Sequence, residues 1–103
     1  MSRLTRELLP GIAPSADYLY RTAWAHGLKP RVTSVFRSFA QQRWLRQRYL
    51  RGQSALYAAP AGQSLHQYNR AFDMVTTHPA AVGDLWQRMG GRWYPSDPVH
   101  FEA

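Results

Sequence analysis

The chain has 103 residues, 45% hydrophobic and 14% aromatic, with no cysteine and a formal net charge of +7. A length in this range suits one core, so a single domain over residues 1–103 is expected. Disulfides and thiolate metal sites are excluded, which leaves His and carboxylate as the only metal ligands. The surplus of arginine predicts attraction to polyanions without choosing among nucleic acid, anionic lipid and an anionic wall.

Residues 1–14 contain Pro10, Gly11 and Pro14 and read as an irregular lead-in. Neither they nor any later stretch has an apolar run suited to a signal peptide or a bilayer span. Synthesis in the cytoplasm without self-export is the expectation. Ser15 can cap a helix from Ala16 to about His26, with Leu19, Tyr20, Ala23 and Trp24 on one face and Gly27 as its stop. Val32–Phe36 is β-rich and predicts a strand. Ser38 and Gln41 have capping-box spacing, and the helix they open should run to about Leu50. Its expected inward residues are Phe39, Ala40, Trp44, Leu45 and Tyr49. The arginines on it, Arg43, Arg46, Arg48 with Arg51 beyond, read as a solvated face or as a nucleic-acid surface.

Gln53–Gln63 has no period and predicts a loop. Phe72–Thr76 alternates, placing Asp73 with Ala71 and Val75 opposite Phe72 and Met74. A helix with Pro79 in its first turn carries Val82, Leu85, Trp86 and Met89, and Gly90-Gly91 ends it. Trp93 can begin a strand, and Val99–Glu102 is a last one. This order argues for a small α+β domain with a central, mostly antiparallel sheet and helices packed on it.

Scarce acids and histidines concentrate in Ser64–Asp73 and Asp97–Glu102. On one helix His66 and Asp73 would lie about 10 Å apart along the axis, too far to share an ion. A turn at Tyr68-Asn69 that feeds Asp73 into a strand removes the difficulty. With His100 on a neighbouring strand, His66, Asp73 and His100 can hold one Zn2+ ion and leave a fourth position open. Asp97, separated from His100 by Pro98 and Val99, can stand beside the metal as a general base. By spacing alone the histidines also read as ordinary satisfied residues and Asp97-Pro98 as a plain turn. His26 and His78 have no acidic partner at useful spacing and read as structural.

Ser64-x-His66-x-x-Asn69-x-Ala71-x-Asp73 resembles the Ser-x-His-x-x-Gly-x-Ala-x-Asp motif of the zinc peptidoglycan peptidases. That family holds the VanY-type D-Ala-D-Ala carboxypeptidases and the L-alanyl-D-glutamate endopeptidases, phage endolysins among them. Asp97-Pro98-Val99-His100-Phe101-Glu102 is similar to the terminal Asp-x-x-His-Phe-Glu/Gln signature of the endopeptidases. Thr33–Ser38 followed by Gln42 is similar to the segment that supplies an active-site arginine, and Gly90-Gly91-Arg92-Trp93 resembles the Trp-Gly-Gly-x-Trp stretch before the last motif.

The resemblance, from about Val32 onward, implies a Hedgehog/DD-peptidase-like fold. It implies zinc ligands at His66, Asp73 and His100, a base at Asp97, and Arg37 steadying the oxyanion. Ser64 and Gln42 would support the ligands or contact substrate. The implied partner is the peptidoglycan peptide stem, with an L-Ala-D-Glu endopeptidase acting as a cell-wall lysin in first place. A D-Ala-D-Ala carboxypeptidase stands second, and an inactive zinc-binding relative or a basic nucleic-acid module further behind. Action at the cell wall after release by a phage or host factor, held there by positive charge, and a monomeric state are expected. Asn69 departs from the family's Gly. If the position needs positive φ, Asn is the least costly substitute.

Overall fold

The structure is a computed structural model that describes residues 3–55 and 57–103. Met1 and Ser2 of the expected lead-in, and Leu56 of the expected loop, lie outside the described residues. The helices are α1 (Arg3–Glu7), α2 (Ala13–Ala25), α3 (Phe39–Leu50) and α4 (Pro79–Arg88), with a 3-10 turn at Leu65–Tyr68. The strands are β1 (Arg31–Ser34), β2 (Ala71–Val75), β3 (Arg92–Trp93) and β4 (His100–Glu102). They form one antiparallel sheet in the order β1-β2-β4-β3. The α+β architecture expected from the sequence is the one observed.

Strand alternation divides the sheet into two faces. Phe72, Met74 and Phe101 are fully buried and join Trp93, Leu19, Ala23, Val82 and Trp86 in the core between sheet, α2 and α4. Phe72 stacks on Phe101 with centroids 5.3 Å apart and meets Trp86 edge-on at 5.4 Å. Each such aromatic contributes roughly 1.5–3 kcal/mol by leaving water. Asp73 and His100 are cross-strand partners, and they project from the opposite face. The core therefore fixes the register, and the register puts the two polar residues side by side.

Two sequence expectations fail. Residues 3–14 are irregular only between Leu8 and Ile12: α1 buries Leu4, Leu8 just beyond it is also buried, and α2 starts at Ala13. Pro14 sits in the first turn of α2, where a missing N–H costs nothing, and Ser15 is not its cap. The predicted inner face of α3 is also wrong. Phe39 and Trp44 are 58% and 56% exposed, Ala40 is exposed, and Leu45 and Tyr49 are half-buried. The residue α3 buries is Gln42. A helix that walls a polar site buries a polar residue, and a hydrophobic period misreads its orientation. The capping box at Ser38 and Gln41 forms as the spacing predicts.

Candidate metal centre

His66 lies in the 3-10 turn, almost fully buried, with Ser64 as the cap of that turn: Ser64 Oγ accepts from the His66 backbone N–H at 3.3 Å. The turn ends at Asn69, whose φ of 60° and ψ of 31° are left-handed. The reversal expected at this point is real, and Asn69 fits it. Its side-chain amide also donates to the Glu7 carbonyl, and its own carbonyl accepts from Leu9 N–H at 3.0 Å. Asn thus ties α1 to the turn, which glycine would not do.

From there the chain enters β2 and delivers Asp73. His66 Nε2 lies 3.1 Å from Asp73 Oδ1 and 3.3 Å from His100 Nδ1, and the last two atoms are 3.4 Å apart. Three corners of a tetrahedron around zinc, with bonds of about 2.0–2.1 Å, are separated by about 3.3–3.4 Å. The triangle therefore has the size zinc requires.

The proton positions point the same way. His66 Nδ1 is 2.7 Å from the Val35 carbonyl, which only accepts, so that nitrogen carries the hydrogen and Nε2 offers a lone pair. His100 Nε2 is 3.0 Å from Glu102 Oε1, which leaves Nδ1 facing the triangle. Three acceptor atoms turned towards one another repel unless a proton or a cation lies among them. His66, Asp73 and His100 are the group of described residues that could hold a metal ion.

Asp73's second oxygen, Oδ2, accepts from Arg37 Nη2 at 2.6 Å. Arg37 also donates through Nη1 to Gln42 Oε1 at 3.1 Å and through Nε to Ser34 Oγ at 3.1 Å. Gln42 in turn donates to the Ala59 carbonyl at 2.8 Å. Burial by itself would raise the Asp73 pKa. Its contacts with His100, His66 and Arg37 outweigh it and hold this carboxyl well below the usual range. His100 is shifted upward: burial opposes its charge, but Asp73, Glu102 and Asp97 more than compensate.

Asp97 lines the same cavity as these residues, along with Tyr57, Tyr94 and Ser96. The turn that carries it is held by Asp97 N–H to the Tyr94 carbonyl at 3.0 Å and by Trp93 Nε1 to the Pro98 carbonyl at 2.9 Å. Burial raises the Asp97 pKa, with a further push from Asp73, against the pull of His100, His66 and Arg37. A carboxylate made more basic beside a metal position is equipped to take a proton from water.

All seven residues singled out in the sequence, Arg37, Gln42, Ser64, His66, Asp73, Asp97 and His100, line this one cavity. Sequence reasoning missed three contributors. Val35 acts through its backbone, which leaves no trace in residue identity. Ser34 was quoted in a motif without a role. Glu102 was visible as the residue two after His100 on a strand, hence on the same face, and that signal could have found it.

A zinc-sized triangle of two histidines and one carboxylate, an acid beside it and an arginine behind it define a metallopeptidase-type centre on a small α+β scaffold. The family whose model matches residues 5–92 is VanY, D-alanyl-D-alanine carboxypeptidase, and the chain belongs to it. The protein is a metallopeptidase of the VanY family. The family match stops at Arg92, so the placement of Asp97, His100 and Glu102 rests on geometry.

The fold is similar to that of the vancomycin resistance D,D-pentapeptidase VanY from a VanB-type cassette, solved as a mutant with Zn(II). The TM-score is 0.75 at 20% identity, covering 92% of this chain and 71% of that one. VanYB in complex with D-alanine-D-alanine matches with the same score and identity, covering 92% and 70%. The LdcB LD-carboxypeptidase matches with TM-score 0.72 and 21% identity, covering 97% and 67%. No curated protein matches the chain significantly.

Proposed function

We propose that this protein hydrolyses an amide of the peptidoglycan peptide stem with one zinc ion, and that the bond is internal, between L-Ala and D-Glu. The observation that carries the zinc reading is the triangle of His66 Nε2, Asp73 Oδ1 and His100 Nδ1, with edges of 3.1, 3.3 and 3.4 Å. The VanY and VanYB relatives solved with Zn(II) and with D-alanine-D-alanine support the metal and the chemical class of substrate. Zinc at this position supplies Lewis acidity to the scissile carbonyl and acidity to water.

The chain's own residues supply the rest. Asp97 takes a proton from the attacking water as the new C–O bond forms. It returns that proton to the amine nitrogen as the C–N bond breaks. Arg37, permanently charged, held by Asp73, Gln42 and Ser34 and lining the cavity, would steady an oxyanion that develops there. Gln42 and Ser64 keep Arg37 and His66 in place.

Support for an internal bond comes from the Asp-x-x-His-Phe-Glu ending, which is similar to that of the endopeptidases. The second reading, removal of a terminal D-Ala, is favoured by the description of the matching family. Masses of products from purified muropeptides separate the two. Free L-Ala-terminated fragments support the internal cut, whereas loss of a single D-Ala supports the carboxypeptidase.

A further inference from the structure

The two histidines of the triangle are oriented by different kinds of group. His66 Nδ1 is held by a neutral backbone carbonyl, that of Val35. His100 Nε2 is held by a carboxylate, Glu102 Oε1 at 3.0 Å. The other Glu102 oxygen accepts from Arg92 Nη2 at 3.0 Å. Sheet register produces this arrangement: Glu102 is flanked by Arg92 across the β3–β4 ladder and by Ala71 across the β2–β4 ladder. Trp86 Nε1 donates to the Glu102 carbonyl at 2.9 Å, which fixes the backbone beneath the side chain. Trp86 reaches it past Gly91, where a Cβ would come within 2.1 Å of the indole nitrogen.

An imidazole beside an ionised carboxylate lowers its energy by placing its hydrogen on the nitrogen that faces the carboxylate. Both His100 nitrogens face a carboxylate, but Nε2 lies 3.0 Å from Glu102 Oε1 whereas Nδ1 lies 3.4 Å from Asp73 Oδ1. The closer contact takes the hydrogen, and the lone pair is left on Nδ1, 3.3 Å from His66 Nε2. The opposite tautomer would aim a hydrogen into the triangle and leave Nε2 and Glu102 as two facing acceptors.

We infer that Glu102, backed by Arg92, is a positioning pair that locks His100 as the Nε2–H tautomer and presents Nδ1 to the metal. The inference rests on the zinc reading above. Glu102 stands outside the triangle of ligand atoms and acts through His100. Arg92 keeps the Glu102 carboxylate turned towards the ring.

The test uses the full chain, with zinc chloride as the only added metal. In the zinc-free protein at alkaline pH, nitrogen-15 NMR of the imidazoles should show His100 as Nε2–H with an unprotonated Nδ1. Glu102→Ala should give a mixture of tautomers and weaken zinc binding about 10–100-fold in competition with a chelator. Glu102→Gln, whose amide oxygen can still accept from Nε2–H, should recover most of that loss. Arg92→Ala should show a smaller loss in the same direction. A folded Glu102→Ala that keeps the pure Nε2–H tautomer and binds zinc within about 2-fold of the parent, on the scale of outer-partner effects, overturns the inference. If Glu102→Ala does not fold, Arg92→Ala decides: parental zinc affinity and tautomer overturn the inference, and loss in both supports it. Zinc uptake by the parent that no variant changes sinks this inference alone. No uptake by the parent sinks the zinc reading and this inference together.

Discussion

Replacing Arg37 with alanine strips Asp73 of its partner at Oδ2, a 2.6 Å contact between side chains only 17% and 15% exposed. Removing one member of a buried pair costs about 3–5 kcal/mol, and the residual exposure here brings the expected loss to about 2–3 kcal/mol for the zinc-free protein. For a domain of this size that corresponds to a melting temperature lower by roughly 10–20 °C. Calorimetry of the zinc-free parent and variant measures it directly. The same substitution separates two roles for Arg37. If it only orients Asp73, saturating zinc should restore turnover. If it also faces the developing oxyanion, turnover at saturating zinc should stay about 100–1,000-fold down, the scale for loss of one oxyanion donor. A variant within about 0.5 kcal/mol of the parent in stability, the usual range for plain surface changes, and near-parental in turnover would refute both.

Asp97→Ala should retain zinc and lose turnover, whereas His66→Ala should lose both; metal analysis beside a muropeptide assay checks the pair, and an active Asp97→Ala would remove Asp97 as the base. Zinc affinity should rise with pH from below 6.5 up to the raised His100 value, because the metal must displace that proton; calorimetry in buffers of different ionisation enthalpy should detect proton release, and a pH-independent affinity would contradict it.

Stability of the zinc-free protein should follow the same groups. His100, with its raised folded value, contributes fully below its ordinary 6.5 and loses that contribution as pH rises through the folded value. Asp97, also raised, likewise contributes most below its ordinary 3.8 and loses stability as pH rises. Asp73, with its depressed value, contributes above 3.8 and loses it as pH falls through the folded value. A stability maximum on the acid side of neutrality is expected, and denaturant titrations showing a maximum above pH 8 would count against this assignment. Asn69→Gly should keep the turn and cost about 0.5–1.5 kcal/mol through the lost tie to Glu7, while Asn69→Val, a β-branched residue at φ 60°, should cost more; equal stability of all three proteins would show that the turn is not constrained. Gly83→Ala should destabilise by at least about 1–3 kcal/mol, since a Cβ there lies 2.1 Å from the Trp93 ring, and an unchanged denaturation midpoint would show that the Trp93 ring yields freely.

The site was legible because its parts are residue types at fixed spacing. His66 and Asp73 cannot chelate from one helix, so the sequence demanded the reversal that Asn69 makes. The sheet was legible through the alternation of Phe72, Asp73 and Met74. What escaped has physical causes. The polar inner side of α3 hid its orientation, since Gln42 faces the site and Arg46 reaches inward to the Ala58 carbonyl at 3.0 Å. Pro10, Gly11 and Pro14 masked the N-terminal helices because a proline in a first helical turn looks, in sequence, like a break. Asn69 read as a tolerated deviation, yet its amide ties α1 to the site. The outer partners of the ligands depend on pairing between distant strands or on backbone atoms, and no local pattern announces either.

The central claim is that His66, Asp73 and His100 hold a zinc ion that the peptidase activity requires. Purified muropeptides should be cleaved by the zinc-loaded protein, spared after chelation, and cleaved again when zinc alone is restored, with Asp97→Ala inert throughout. Cleavage that survives complete removal of metal, or its absence from a protein shown to carry one zinc per chain, would contradict the account.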